Sequence, residues 1–245
     1  MNMTELPVWT TLALGFVLGL RHALDADHLA AVSTFVTEER SLLRASLIGV
    51  SWGLGHTAAL LVFGLGVAAF QFALTPRFSQ YLEFLVGCML IVLGGNVLYK
   101  LAKGRALHVH THAHDRGPHT HLHMHAAEAA HDHPHQHRAP RLGGRPFVVG
   151  VVHGLAGTAA LMMLVVGAIP SLWLAAGYIL IFGVGSIGGM TVMSLLMSVP
   201  LALAARCLGL VERLIQVVPG LFSLGFGLYL VWEVGFIQSL VLCGT

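Results

Sequence analysis

Apolar residues run along most of the chain in long blocks, and polar clusters interrupt them near positions 38–44, 75–80, 104–145 and 205–214. About 20 apolar residues are enough to cross a bilayer as a helix. Six such blocks are expected to be spans: Val8–Phe35, Ala45–Leu74, Tyr81–Leu101, Phe147–Ile169, Leu172–Leu203 and Ile215–Leu242. At about 1.5 Å per residue the first outruns a hydrocarbon core of roughly 30 Å, so it must tilt, bend or project. The fifth is also long, and Gly183, Gly185, Gly188, Gly189 and Pro200 offer places for it to break or to admit a neighbouring helix. The pattern predicts an all-α polytopic membrane helix bundle.

Composition agrees. The 245 residues are 56% hydrophobic and 10% charged, with a mean hydropathy of +0.79, which excludes an ordinary soluble domain. A net charge of +2 makes no case for nucleic acid as a partner; the bilayer is the expected surroundings. Cys88, Cys207 and Cys243 form no CxxC unit and read as small packed residues. No Lys or Arg precedes Arg21, so the basic start of a cleaved signal peptide is missing and the first apolar block is expected to be retained.

Residues 104–145 differ in kind. They hold 12 of the 16 histidines, in three tetrads at alternate positions that begin at His108, His119 and His131. With few large apolar residues the segment cannot form a core, so a disordered loop of concentrated imidazole is expected, able to bind divalent metals weakly. It divides the chain into a first three-helix half (1–103), the His-rich loop (104–145) and a second three-helix half (146–245). With six crossings, eleven of the 13 basic residues fall on the side of that loop, against Arg77 on the other and Arg21 within the membrane. The excess of Lys and Arg on cytoplasmic loops then puts the loop in the cytoplasm and both termini outside a cell membrane.

Within the first block, Arg21, His22, Asp25, Asp27 and His28 crowd into eight residues. Ionisable groups at bilayer depth cost at least about 2.5 kcal/mol each, so they face a partner, a cavity or an ion path. Imidazole with carboxylate suits a divalent first-row ion such as Ni²⁺, Co²⁺ or Zn²⁺, whereas softer metals call for thiolates. On a continuous helix His22, Asp25 and His28 line one face, and Asp27 points elsewhere. Arg21 is placed to pair with Asp25 when no cation is present.

The halves can be laid over each other at a shift of 131 to 134 residues. Gly19-Leu-Arg-His22 matches Gly150-Val-Val-His153, and Gly55-His56-Thr57 matches Gly189-Met190-Thr191. Three spans per half make equivalent helices cross in opposite directions, the inverted repeat of many transporters, whose site lies between the halves. Outside the loop only His22, His28, His56 and His153 remain, all inside expected spans. Gly53 and Gly55 flank His56 and let another helix come close enough to share an ion. Met190 with Met162 or Met163 offers weak sulfur contacts.

Arg21-His-Ala-Leu-Asp-Ala-Asp-His28 resembles the signature of the nickel/cobalt transporter family, and Gly55-His56-Thr57 resembles a second motif of it. The resemblance implies that His22, Asp25, Asp27 and His28 form a selectivity site, with His56 close by. Family importers usually have eight spans, two more than expected here. The His-rich loop is more like that of efflux-type relatives, although those tend to have a shorter motif. The expected function is secondary transport of Ni²⁺ or Co²⁺ through His22, Asp25, Asp27, His28, His56 and His153. The ion is the substrate, with no cofactor and no enzymatic step. No Walker A sequence is present.

Two other classes fit the ligand types. An intramembrane metalloenzyme would use the same side chains, but no HExxH motif is present. A metal-sensing or metal-storing membrane protein would use the loop alone, and alanine at His22 and Asp25 would then leave cellular nickel unchanged.

Overall fold

The computed structural model describes residues 8–37, 39, 41–70, 75–103, 108–114, 117–123, 144–155, 169, 171–204 and 209–238. Seven helices account for most of them: α1 (Val8–His22), α2 (Ala26–Val36), α3 (Leu42–Phe70), α4 (Pro76–Ala102), α5 (Gly144–Gly154), α6 (Leu172–Ala204) and α7 (Gly209–Trp232). A π-helical turn, Glu233–Gln238, continues α7. Four helices contain stretches long and apolar enough to cross a membrane: Leu42–Gly66, Arg77–Ala102, Leu172–Pro200 and Leu214–Phe236. Residues 156–168, which carry the rest of the expected fourth span with Met162 and Met163, lie outside the described residues, as do 239–245.

The first span is not one continuous helix. It breaks at Ala23–Asp25, where Leu24 N–H and Asp25 N–H donate to carbonyls three residues back, Arg21 O at 2.9 Å and His22 O at 3.1 Å. Asp25 then takes the extended backbone of an N-cap (φ −63°, ψ 145°), and α2 begins with Leu29 N–H donating to Asp25 O. An aspartate at this position usually caps with its carboxylate. Here it makes no cap bond, because the carboxylate is engaged by His22. The break places the carbonyl end of α1 and the first turn of α2 side by side in the interior.

Conversely, α6 does not break. It runs through Pro200 to Ala204, and its glycines serve close approach instead. A Cβ at Gly183 would strike Thr57, at Gly185 the carbonyl of Phe16, and at Gly189 the Ala23 Cβ. Thr75 opens α4, accepting from Phe78 N–H with Pro76 in the first turn, where its missing N–H costs nothing.

The contacts between helices are reciprocal. Gly19 of α1 lies against Phe182 O and Ser186 N of α6, and Gly150 of α5 lies in the same way against Trp52 O and His56 N of α3. Gly185 of α6 meets Phe16 O and Leu20 N, and Gly55 of α3 meets Phe147 O and Val151 N. On α4 and α7, Gly94 meets Gly220 O and Leu224 N, and Gly227 meets Gly87 O and Ile91 N. These pairings make Ser186 the equivalent of His56 and Phe182 the equivalent of Trp52 in the two helix pairs. The sequence match of His56 with Met190 is therefore one helical turn out of step with the packing; the short glycine motifs repeat at turn-like intervals and do not fix it.

Two buried clusters hold the bundle. One gathers Ala23, Ala30, Ala31, Val32, Trp52, Leu90 and Met190, and the other Leu60, Ala175, Tyr178, Ile179 and Phe182. Met190 is thus core packing among apolar neighbours. In the His-rich segment, where no ordered structure is expected, the described backbone forms an antiparallel hairpin, β1 (His108–His114) with β2 (Gly117–His123). Its register sets His108 opposite His123, His110 opposite His121 and His112 opposite His119. The third tetrad lies outside the described residues.

Candidate metal centre

Four histidines from four helices converge at the break. His22 ends α1, His28 stands in the first turn of α2, His56 is mid-way along α3 and His153 is one residue from the end of α5. All four are buried. What brings α5 so near is small residues: a Cβ at Gly150 would overlap Trp52 O, and one at Gly154 would lie 2.5 Å from His56 O.

A carboxylate oxygen only accepts, so each imidazole nitrogen facing one must carry the hydrogen. His22 Nδ1–H donates to Asp25 Oδ2 at 2.8 Å, which leaves the lone pair on Nε2. That atom lies 3.2 Å from His56 Nε2. His28 Nδ1–H donates to Asp27 Oδ1 at 3.0 Å, and its Nε2 is buried without a hydrogen-bond partner. His153 Nε2–H donates to Asp27 Oδ2 at 2.9 Å, and its Nδ1 is likewise buried and unpartnered. His56 Nδ1 completes the set of orphaned ring nitrogens. Buried polar atoms are almost always satisfied, so three orphans in one cluster call for a missing partner.

The two aspartates have different places. Asp27 bridges His28 and His153 and also accepts the His28 backbone N–H at 2.9 Å; its side chain is 24% exposed. Asp25 touches His22 alone among the cluster and is 45% exposed. The single-face arrangement expected for a continuous helix is thus overturned by the break: Asp27 turns into the cluster, and Asp25 lies at its edge, behind His22. Arg21 is exposed, and Asp25 pairs with His22 instead of with it.

Donor atoms fall into two groups in which all lie within 4.8 Å of one another: His22 with His28 and His56, and Asp27 with His28 and His153. Trp52 stacks on His28, with centroids 5.3 Å apart and planes at 25°, and its ring also lies 5.7 Å from that of His153. Phe182 closes over His22 at 5.6 Å. Sequence reasoning passed over both aromatics. Trp52 stands four residues before His56, one turn away on the same face, and that spacing was the available signal.

The chain is 36% identical over 247 residues to the urease accessory protein UreH of Bacillus sp. (strain TB-90), covering 97% of each. It is 42% identical over 65 residues to the cobalt transport protein NhlF of Rhodococcus rhodochrous, which covers 25% of this chain and 18% of that one. A third relative is the chloroplast protein FOR GROWTH AND FERTILITY 1 of Arabidopsis thaliana, 28% identical over 182 residues, 73% of this chain and 47% of that one. No family model and no solved structure matches. A relationship that spans nearly the whole of both chains shows that this protein belongs to the family of the urease accessory protein UreH.

Proposed function

We propose that the protein is a secondary transporter of Ni²⁺ or Co²⁺ that strips the ion of water between α1, α2, α3 and α5 and exposes it in turn to either side of a cell membrane. One observation carries this reading: four buried histidines and Asp27 meet where a helix is broken, with ring nitrogens left unpartnered. Broken helices recur at the ion sites of transporters, because the unsatisfied carbonyls at the end of a half-helix favour a cation. The carbonyl end of α1 has that position beside His22. Asp27 adds a negative charge at the first turn of α2, where the helix dipole alone would repel a cation.

Six crossings in a 3+3 inverted repeat is the arrangement we favour, with both termini outside and the His-rich segment in the cytoplasm. The reciprocal glycine contacts of α1 with α6 and of α5 with α3 support it, since each half lends a helix to the other. A potential negative inside favours cation entry by about 2.3 kcal/mol per charge per 100 mV, so import needs no nucleotide, and export needs coupling to another gradient. The hairpin, with histidine set opposite histidine on three rungs, would gather ions at the inner mouth.

The test is the flux of radioactive nickel and cobalt in vesicles carrying the chain, compared with His22→Ala. Passage through the natural chain that is lost in the variant is expected, and the sign of the flux gives the direction. Vesicles impermeable to both ions, or equal passage in the two chains, overturns the proposal.

A further inference from the structure

We infer that the ion occupies two successive positions that share His28: one among His22, His28 and His56, the other among Asp27, His28 and His153. This deepens the transport reading and rests on it for the use made of the two positions.

The geometry separates them. Each group holds its donor atoms within 4.8 Å, and among the described residues these are the two groups that do so. His28 is central, its ring centroid 4.3 Å from that of His22 and 4.0 Å from that of His153. The rings of His56 and His153 are 6.3 Å apart, farther from each other than either is from His28. His22 Nε2 and His56 Nε2, at 3.2 Å, already have the spacing of two ligands on one ion: nitrogens about 2.1 Å from a metal at 90–110° lie roughly 3.0–3.4 Å apart.

The chemistry makes the positions alternatives. A neutral imidazole has one lone pair, so His28 serves one position at a time and the two positions hold one ion between them. With the ion among the three imidazoles, Asp27 keeps its bonds to His28 and His153 and orients both rings. With the ion on the other side of His28, the protons on His28 Nδ1 and His153 Nε2 pass to the opposite nitrogens of the same rings, which are then free of metal, and Asp27 becomes a ligand and brings a negative charge to the ion. The first set draws on α1, α2 and α3; the second recruits α5, so passage between them carries the ion from the first half of the chain to its junction with the second. Ion pathways work by such divided sites, firm enough to admit the ion and weak enough individually to release it.

The experiment is equilibrium binding of Ni²⁺ and Co²⁺ to the purified full-length chain in detergent, with the 12 histidines between residues 108 and 137 replaced by Ser so that the His-rich segment takes no ion, and with the Co²⁺ visible spectrum as a record of the donor set. This parent chain should bind one ion. His22→Gln and His153→Gln should each still bind one, roughly tenfold to a hundredfold more weakly. Their Co²⁺ spectra should differ, since only the first variant retains a carboxylate ligand. The double variant and His28→Gln alone should bind none. Loss of all binding in either single variant, retained binding in the double variant, or two ions on the parent chain overturns the inference, and the last reading needs no change at the site itself. Binding is read without flux. A chain that behaves as expected here but passes no ion in vesicles would sink the transport reading and leave the two positions standing.

Discussion

His22 Nε2 and His56 Nε2 face each other at 3.2 Å across α1 and α3, although neither helix needs the other's imidazole for packing. Because His22 Nδ1–H is held by Asp25, its Nε2 offers a lone pair, and His56 must donate. On the proposed reading this hydrogen bond holds the place that an ion would take. His56→Ala should lower nickel and cobalt affinity at least tenfold while costing little stability, since a half-satisfied buried ring is removed. Isothermal titration and a thermal melt of the same sample check both halves of the statement.

Asp27 and Asp25 should respond differently to truncation. Asp27→Ala leaves His28 Nδ1 and His153 Nε2 buried without acceptors, each worth about 1–3 kcal/mol. The variant should lose both stability and metal binding. Asp25→Ala frees a single ring at the cluster's edge, so the expected effect is a roughly tenfold to hundredfold loss of affinity with a small change in melting temperature. Equal effects of the two on melting would contradict the placement of Asp27 as a bridge.

How far the sequence carries can be judged at these same residues. Four histidines with two aspartates inside apolar sequence announce a shared site, because burial among apolar residues makes each of them expensive and a common partner explains so many. Their mutual geometry was not legible. A helical wheel assumes an unbroken helix, and the turn at Ala23–Asp25 exchanges the roles of Asp25 and Asp27. No glycine or proline marks that break; it is stabilised by long-range bonds from Asp27 to His153, which a local pattern cannot contain. The repeat suffers similarly. Short glycine motifs match His56 with Met190, while the equivalent backbone contacts of Gly150 with His56 and of Gly19 with Ser186 match it with Ser186, whose hydroxyl donates to Gly19 O at 3.2 Å.

Close packing of α5 on α3 is what carries His153 into the cluster, and it depends on Gly150. A methyl group there would overlap Trp52 O, which backbone cannot yield as a side chain can. Gly150→Ala should therefore push the helices apart and reduce metal affinity and flux severalfold, without touching any ligand. Gly95→Ala is the control, since a Cβ at that site meets nothing within 4 Å. It should leave transport unchanged and raise helix stability by a few tenths to about 1 kcal/mol. Parallel flux and melting measurements on the two variants decide the matter.

Finally, the His-rich segment should set how transport depends on metal concentration without forming the pathway. Among the described residues the converging ligands come from α1, α2, α3 and α5. The hairpin's register sets histidine opposite histidine on three rungs, which concentrates imidazole along the segment. Deleting residues 106–138 should accordingly keep the maximal flux within about twofold, while shifting the metal concentration at half-maximal flux, because ions are no longer gathered at one mouth. Replacing His110 and His121 together with Ser should give part of that shift, since one rung is removed and two remain. Complete loss of flux on deletion would place the segment inside the transport pathway and contradict this division of labour.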